Sequence, residues 1–355
     1  MKVIKSLLVQ LFTGTNVVTI LLLWACCLVT YISPAAYPRL TLLALAFPAF
    51  LLVNALFIPF WLIFKIRRTW IPLVGFVACA SFVRDYLPLN IPQQSDRAED
   101  ATLSVLSYNT HHFGDSKQQE KDSVNKACYY LTNSNADIIC LQESKNKQDF
   151  TDEMEKKGYE FAFRKEFCLY SRLHIIEVDT LALEGHPCHA MRALLQDGKD
   201  TVLLLNVHLQ SNLISLELKA AYREALEKHE RDSLSKELPP ILRLISEAMP
   251  LRAAQTDSLA SLVEAWLPKP VIVCGDFNDT PVSYAHRMLT RHLTSAYRQS
   301  GNGLGFTFQE KGFPVRIDHI LFDSNTWESS KTQVVKHISS SDHFPIRTKL
   351  ARKRP

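Results

Sequence analysis

Four short polar islands end apolar runs in this chain: Leu141-Gln142-Glu143, Asn206-Val207-His208-Leu209, Gly275-Asp276-Phe277-Asn278 and Ser341-Asp342-His343. A sheet built from those runs would bring a carboxylate, a histidine, an Asp/Asn pair and an Asp/His pair to one rim. Carboxylate and carboxamide oxygens suit a hard cation, an acid can take a proton from water, and imidazoles can steady negative charge. Metal-assisted hydrolysis of a phosphoester uses all three.

Each residue also has a plainer reading. Glu143 closes Ile138-Ile139-Cys140-Leu141-Gln142, where a carboxylate must be solvated, paired or metal-bound because burying it alone is costly; otherwise it is an exposed strand-end acid. Asn109 ends Leu106-Ser107-Tyr108 and could offer a neutral oxygen to the same cation, although an Asx turn is the commoner use. His208 lies where strand meets loop, with Gln210 and Asn212 following; a lone histidine is usually structural. Asp276 and Asn278 carry the sharpest signal: an apolar strand, Gly275, an acid and an amide two apart, then Asp279-Thr280-Pro281 to turn the chain. The acid can accept the proton of a water while the amide holds that water or a phosphoryl oxygen. Asp318, inside Arg316-Ile317-Asp318-His319-Ile320, needs a partner. His343 is the natural one, since an Asp–imidazole bond fixes the tautomer and favours the imidazolium. Asp342 is placed to hold a second cation or to help place the first.

Other patterns are weaker. His186-Pro187-Cys188-His189 lacks a second cluster at zinc-site spacing. Gly301, Gly303 and Gly305 precede no Lys-Ser/Thr, so they read as a flexible turn rather than a phosphate loop. The run Glu217 to Lys236 reads as a solvated helix face.

The elements that must position these groups read as strands at Leu103 to Tyr108, Ala136 to Gln142, Phe167 to Ser171, Ala193 to Gln196, Thr201 to His208, Pro270 to Cys274 and Arg316 to Phe322. Helical periodicity covers Asp122 to Asn133, Ile214 to Met249 with a break near Pro239-Pro240, and Leu251 to Trp266. Strands interleaved with helices give an α/β chain, and links too short for a crossover helix, such as the one at Gly198, predict mixed sheets. The 355 residues accommodate a membrane segment and one domain of about 250 residues. Residues 1 to 95 hold seven of the 40 basic residues and one of the 36 acids, so the remainder has 33 bases against 35 acids. That balance lacks the basic footprint of a nonspecific nucleic-acid binder. Eight cysteines, three of them in the apolar amino-terminal runs and five beyond, argue against a disulfide framework.

No charge occurs from Ser6 to Pro38 or from Leu40 to Phe64, and each stretch exceeds the roughly 20 apolar residues that cross a bilayer. A third run, Thr69 to Val83, spans only if it continues to Leu89 with Arg84 snorkelling or paired with Asp85. Lys2, Lys5, Lys65, Arg67 and Arg68 mark cytoplasmic ends. Three spans place the domain outside and two leave it inside. The organisation expected is a transmembrane segment over residues 1–89, a polar linker over 90–101 and a catalytic domain over 102–352. The location expected is a multi-pass inner or plasma membrane with the domain on the extracytoplasmic side.

Taken together, Gln-Glu, Asn-x-His-Leu, Gly-Asp-Phe-Asn, Arg-Ile-Asp-His and Ser-Asp-His resemble, in content and order, the motifs of the endonuclease/exonuclease/phosphatase superfamily, from about Leu103 to Leu350. The resemblance implies a four-layer α/β sandwich with two mixed β-sheets, here preceded by two or three transmembrane helices. It implies Mg2+, or Mn2+ in its place, at Asn109 and Glu143, with Asp342 as a metal-site or orienting acid. His208 and His343 become phosphate-contacting groups, Asp276 with Asn278 the water-activating pair, and Asp318 the partner of His343. Arg252 and Gln255 resemble a motif of membrane-bound bacterial members, with no role assigned. Two features depart from the compact nucleases: His111 stands where abasic-site enzymes carry an acid, and Ile214 to Met249 is an insertion. The substrate expected is a phosphoester, whether nucleic acid, lipid headgroup or small phosphodiester, with Arg316, Arg172 and the insertion as candidates to shape its pocket. The partner expected is the lipid bilayer, and no protein partner is predicted. The competing reading is a catalytically silent membrane-tethered scaffold of the same fold.

Overall fold

The computed structural model describes residues 2–91, 102–114, 121–310 and 312–353. Most of the expected linker at 90–101 and the side chains of His186 to His189 lie outside the described residues.

The amino-terminal part forms α1 (Lys2–Leu28), α2 (Pro38–Thr41), α3 (Phe47–Phe64), α4 (Trp70–Ala78) and α5 (Ala80–Tyr86). Among the described residues, two helical stretches, Ile4–Tyr31 and Pro38–Phe64, are long and apolar enough to cross a membrane. Their outer faces keep Leu11 64% and Ile63 76% exposed, an apolar surface that suits hydrocarbon rather than water. A polar knot holds them together: Asn16 Nδ2 donates to Asn54 Oδ1 at 3.0 Å, and Trp61 Nε1 donates to Asn16 Oδ1 at 3.0 Å. The third expected run is not one straight helix. It breaks at Cys79, and its halves meet at 72°. Docking explains the bend, because α5 turns to bury Tyr86 against Phe47 and Val282 and to pair Asp85 with Arg298 at 2.7 Å.

Beyond the amino-terminal helices, twelve strands among the described residues make two six-stranded sheets. They are β1 (Thr102–Asn109), β2 (Ile138–Gln142), β3 (Glu160–Arg164), β4 (Phe167–Ser171), β5 (His174–Leu183), β6 (His186–Asp197), β7 (Asp200–His208), β8 (Val271–Asp276), β9 (Thr294–Ser295), β10 (Asp318–Phe322), β11 (Trp327–Val334) and β12 (Ile346–Arg352). The first sheet has the order β11-β12-β1-β2-β4-β3 and the second β5-β6-β7-β8-β10-β9. Both are mixed, with β1–β2 and β7–β8 parallel among antiparallel neighbours.

Period-2 alternation builds the layers. Val105, Ile138, Val202, Leu204, Ile272 and Ile320 point into the core between the sheets. The opposite faces of the same strands bury Leu106 and Tyr108 under α6 (Lys121–Asn133) and α7 (Gln148–Lys156), and Leu203, Leu205 and Val273 under the long helix beyond them. Each such side chain contributes about 1.5–3 kcal/mol. The result is helix, sheet, sheet, helix, the expected four-layer α/β sandwich.

The insertion differs from expectation. It folds as α8 (Leu216–Glu227) and α9 (Arg231–Trp266), followed later by α10 (Tyr284–Leu289) and α11 (Ala296–Ser300). The chain breaks at Lys228 to Glu230, where His229 takes φ 54, and not at Pro239-Pro240. Pro239, Pro240 and Pro250 all lie inside α9. Burial of Ile241, Ala248, Met249, Leu259 and Val263 along it outweighs the roughly 3 kcal/mol that an interior proline costs.

Candidate active site

Strand register puts the predicted groups side by side. In the second sheet His208 pairs with Asp276 across β7–β8, and Asp276 pairs with Asp318 across β8–β10. In the first, Asn109 pairs with Gln142, so Glu143 lies one residue beyond that row. The two rows are stitched across the sandwich: Gln142 Nε2 donates to Asn206 Oδ1 at 2.6 Å, and Asn206 Nδ2 donates to the Leu141 carbonyl at 3.1 Å. Gly275 allows β7 and β8 to approach. Its φ is 141°, and a Cβ there would lie 1.9 Å from the Val207 carbonyl oxygen. Glu143 (φ 45°) and Asn278 (φ 51°) are left-handed, a strain of about 1–3 kcal/mol each that the surrounding structure must hold.

The side chains converge on Asp276, which is 1% exposed. Asn109 Nδ2 donates to Glu143 Oε1 at 3.0 Å and to Asp276 Oδ2 at 3.1 Å, while its own oxygen accepts the His111 N–H at 3.1 Å. Asn109 therefore aligns two carboxylates through its amide group. Asn278 gives its backbone N–H to Asp276 Oδ1 at 2.8 Å and its Nδ2 to the Leu209 carbonyl at 3.0 Å, so it orients the acid and ties down the loop after His208. His343 Nδ1 bonds Asp318 Oδ2 at 2.8 Å and turns Nε2 toward Asp276 Oδ2 at 3.6 Å. His208 Nε2 lies 3.5 Å from Glu143 Oε1 and 3.9 Å from Asp276 Oδ2. Asp342 is held by His111 Nδ1 at 3.3 Å, so the histidine that departs from the nuclease pattern braces an acid at the same rim. All the sequence-predicted residues thus meet in one place, and Glu143, His208, Asp276, Asn278, Asp342 and His343 line a single cavity of about 220 Å³.

Charge in this cavity is unevenly distributed. Burial opposes protonation of His343, but Asp318 and Asp276 overcome it and push the imidazole up to about 10. His208 is raised to about 9 in the same way: burial resists, and the Glu166 hydrogen bond with the Asp276 and Glu143 carboxylates prevails. Desolvation lifts Asp276 above the usual carboxylate range despite both imidazoles. Burial also works against the charge of Asp342, yet the His111 hydrogen bond and His343 hold its carboxyl below that range. Asp276, Asp318 and His343 place ligand atoms within 4.8 Å of one another, and among the described residues Asp318 Oδ1 is buried with no hydrogen-bond partner. Carboxylates outnumber imidazoles here, and an oxygen-rich, net-negative donor set of this kind fits a hard divalent cation.

Three contributors were not recognised from the sequence. Glu166, in the turn before β4, bonds His208 Nδ1 at 3.2 Å; a charged turn residue carries no local sign of that partner. Arg252 and Gln255 were noticed without a role, and the structure supplies one. Arg252, 1% exposed on α9, donates to the Gln210 carbonyl at 3.1 Å, the Asn278 carbonyl at 2.5 Å and Asn212 Oδ1 at 3.0 Å. Gln255 Oε1 accepts the Gln210 N–H at 2.9 Å. Together they clamp the loops that follow His208 and Asp276. By contrast, Arg316 and Arg172 do not shape the cavity. Arg316 is buried beneath the end of α5, donating to the backbone carbonyls of Asp85 and Tyr86 and stacking on Tyr297 at 4.1 Å, and Arg172 covers the Tyr159 ring at 4.9 Å. The insertion does reach the cavity, through Ile214, Lys219 and Ile245.

Comparison with known proteins gives the same outline. The model of the Endonuclease/Exonuclease/phosphatase family matches residues 106–343, and that of a domain of unknown function (DUF8431) matches residues 9–86. No curated protein matches. Among solved structures, the human Nocturnin catalytic domain with bound sulfate anion is similar at 15% identity and a TM-score of 0.50, over 71% of this chain and 95% of that one. Truncated Caenorhabditis elegans TDP2 is 17% identical with a TM-score of 0.48, covering 70% and 98%. An endonuclease/exonuclease/phosphatase family protein from Bacteroides thetaiotaomicron is 16% identical with a TM-score of 0.47, covering 71% and 98%. At such identities the likeness speaks for the fold alone.

Proposed function

Since the chain belongs to the endonuclease/exonuclease/phosphatase family, we propose that it is a membrane-anchored phosphoester hydrolase that uses a divalent cation, Mg2+ or Mn2+. Glu143, aligned by Asn109, with Asp342 at the same rim, would hold the cation, which supplies positive charge to the phosphoryl oxygens and lowers the pKa of water. Asp276 accepts the proton of the attacking water. Its raised pKa makes it a stronger base than an ordinary aspartate. His343 and His208, both positively charged near neutral pH, donate to the phosphoryl oxygens as charge builds there. The water oxygen bonds phosphorus, the bond to the leaving oxygen breaks, and that oxygen takes a proton from one of the two imidazoliums. Asp318 and Glu166 act through the histidines, and Arg252 and Gln255 through the loops.

The observation that carries this reading is the meeting of Glu143, His208, Asp276 and His343 in one cavity although the sequence separates them by up to two hundred residues. Asp276→Asn and His343→Ala are each expected to lower hydrolysis of a generic phosphodiester by about 10²–10⁴-fold with an unchanged circular dichroism spectrum, and chelation of divalent ions should abolish it. Retention of activity in both variants would falsify the proposal.

We also place the domain on the extracytoplasmic side. The carboxyl-terminal end of the first long apolar stretch touches the domain, with Arg287 Nε donating to the Thr30 carbonyl at 3.1 Å, and so does the chain after α5, with the Gly303 N–H on the Pro88 carbonyl at 2.9 Å. The basic turn Lys65 to Arg68 lies at the other end, where Arg68 donates to the Val9 carbonyl at 3.0 Å. With basic turns kept inside, this arrangement supports three crossings and an outer domain. Protease accessibility in intact and permeabilised cells tests it: an outer domain is cleaved in both.

A further inference from the structure

We infer that the substrate is a membrane lipid phosphoester, reached sideways from the bilayer surface, an inference that rests on the hydrolase reading above. The cavity holding Asp276 and His343 is not walled by the soluble domain alone. Leu45, in the tight helical turn Leu42–Ala46 near the start of the second bilayer-length stretch, Pro38–Phe64, forms part of its lining. The first turns of a membrane-crossing stretch lie close to the membrane surface, and Thr41 in those turns touches Met249 of the domain, so the cavity lies near the level of the headgroups.

The lining changes character along its depth. Asp276 and His343 are buried, whereas Leu45, Ile214, Ile245 and Phe313 are half-buried and Leu213 is exposed, so the apolar part of the lining is the part open to the outside. Leu213, 73% exposed and held in left-handed backbone (φ 50°), lines this cavity together with Leu45, Ile214, Ile245 and Phe313, and a grouped apolar surface of that kind marks a binding face rather than one that meets only water. The wall is fixed to the membrane segment through α9: Ile245 lines the cavity, and Met249, one helical turn on, accepts a hydrogen bond from Thr41 Oγ1 at 3.4 Å. A polar nucleic-acid backbone has no use for such walls. About 220 Å³ lies below the roughly 300–1,000 Å³ that encloses a whole small ligand. The cavity therefore admits a phosphate and its nearest atoms, and the rest of the substrate lies outside, along the apolar walls. Lys219, at the rim and over the Phe308 ring at 5.0 Å, supplies a cation for the anionic headgroup.

The test uses the full chain in nanodiscs with Mg2+. Headgroup release is measured from phosphatidylglycerol of graded acyl-chain length, beside bis(p-nitrophenyl) phosphate and single-stranded DNA. Turnover of the lipid is expected, with kcat/KM rising by about tenfold for every two methylenes that the walls cover until the walls are filled. Leu45→Glu should lower kcat/KM for the long-chain lipid by about tenfold, and the chain-length series needs no variant. Hydrolysis of the soluble diester with no response to chain length, or DNA cleaved in preference to lipid, overturns the lipid assignment and leaves the hydrolase intact. Inactivity toward all three overturns both.

Discussion

Gly275→Ala is the substitution whose outcome follows most directly from geometry. The added Cβ would lie 1.9 Å from the Val207 carbonyl oxygen, and a separation of at least 3.0 Å is needed, so β7 and β8 must part by at least about 1.1 Å, the difference between those distances. The movement falls on the row that holds His208 beside Asp276. Backbone strain at φ 141° adds about 1–3 kcal/mol, and overpacking about 1–3 kcal/mol more. For a domain of this size that sum lowers Tm by roughly 5–20 °C. A misplacement near 1 Å costs about 10²-fold in rate. The assays are thermal unfolding followed by circular dichroism and kcat on a soluble phosphodiester. Gly198→Ala is the control: φ is 62° there, but no atom lies within 4 Å of the new Cβ, so only the strain should appear. If Gly275→Ala melts and turns over within error of Gly198→Ala, the close approach of these strands is not what aligns the two residues.

Asp318→Asn removes the leading influence that raises His343 to about 10. Without that carboxylate the imidazolium gives up its proton at lower pH, so activity relative to wild type should fall as the pH is raised to 8 and recover toward pH 6; a ratio independent of pH refutes the role of the pair. Arg252→Lys loses the planar fork that spans three acceptors, with Asp279 Oδ2 only 3.7 Å from its Nε. We expect a loss of about 1.5–3 kcal/mol in urea unfolding, the scale of a hydrogen bond to a charged group, together with lower kcat. Stability should also decline in mild acid. His319, driven down to about 3 by burial and the nearby Arg316 charge, takes up its proton more readily unfolded than folded. Its stabilisation is present above pH 6.5 and drains by up to about 1.4 kcal/mol per pH unit as pH falls toward 3. His319→Gln should flatten that slope in pH-dependent melts.

Much of the site was legible because its groups terminate strands, and a strand end announces itself as an apolar run meeting a polar residue. That pattern located Asn109, Glu143, His208 and Asp276, and the acid within an apolar run pointed from Asp318 to His343. Glu166 gave no such signal, since nothing local distinguishes it from other turn acids, and its contact with His208 crosses 42 residues of sequence. Mixed sheets could be inferred from short links between strands, whereas the four-layer sandwich came only with the family resemblance. Polar β11, with Glu328, Ser330 and Lys331 along it, and β5, with its exposed alternate residues, were missed because strands at or near a sheet edge need little apolar content. The prolines of α9 misled for the opposite reason: local propensity forecast a break that long-range burial overrode. The bend at Cys79 likewise depends on Arg298, two hundred residues away, beyond the reach of any hydropathy window.

The amide pair of Gln142 and Asn206 joins one half of the sandwich to the other directly beneath the reactive groups. Neither half owns a complete set of those groups. For the hydrolase proposed above, turnover would gauge how firmly the halves are closed, and gentle loosening, by warmth or low denaturant, should silence it while the spectroscopic signature of folded strands and helices still looks intact.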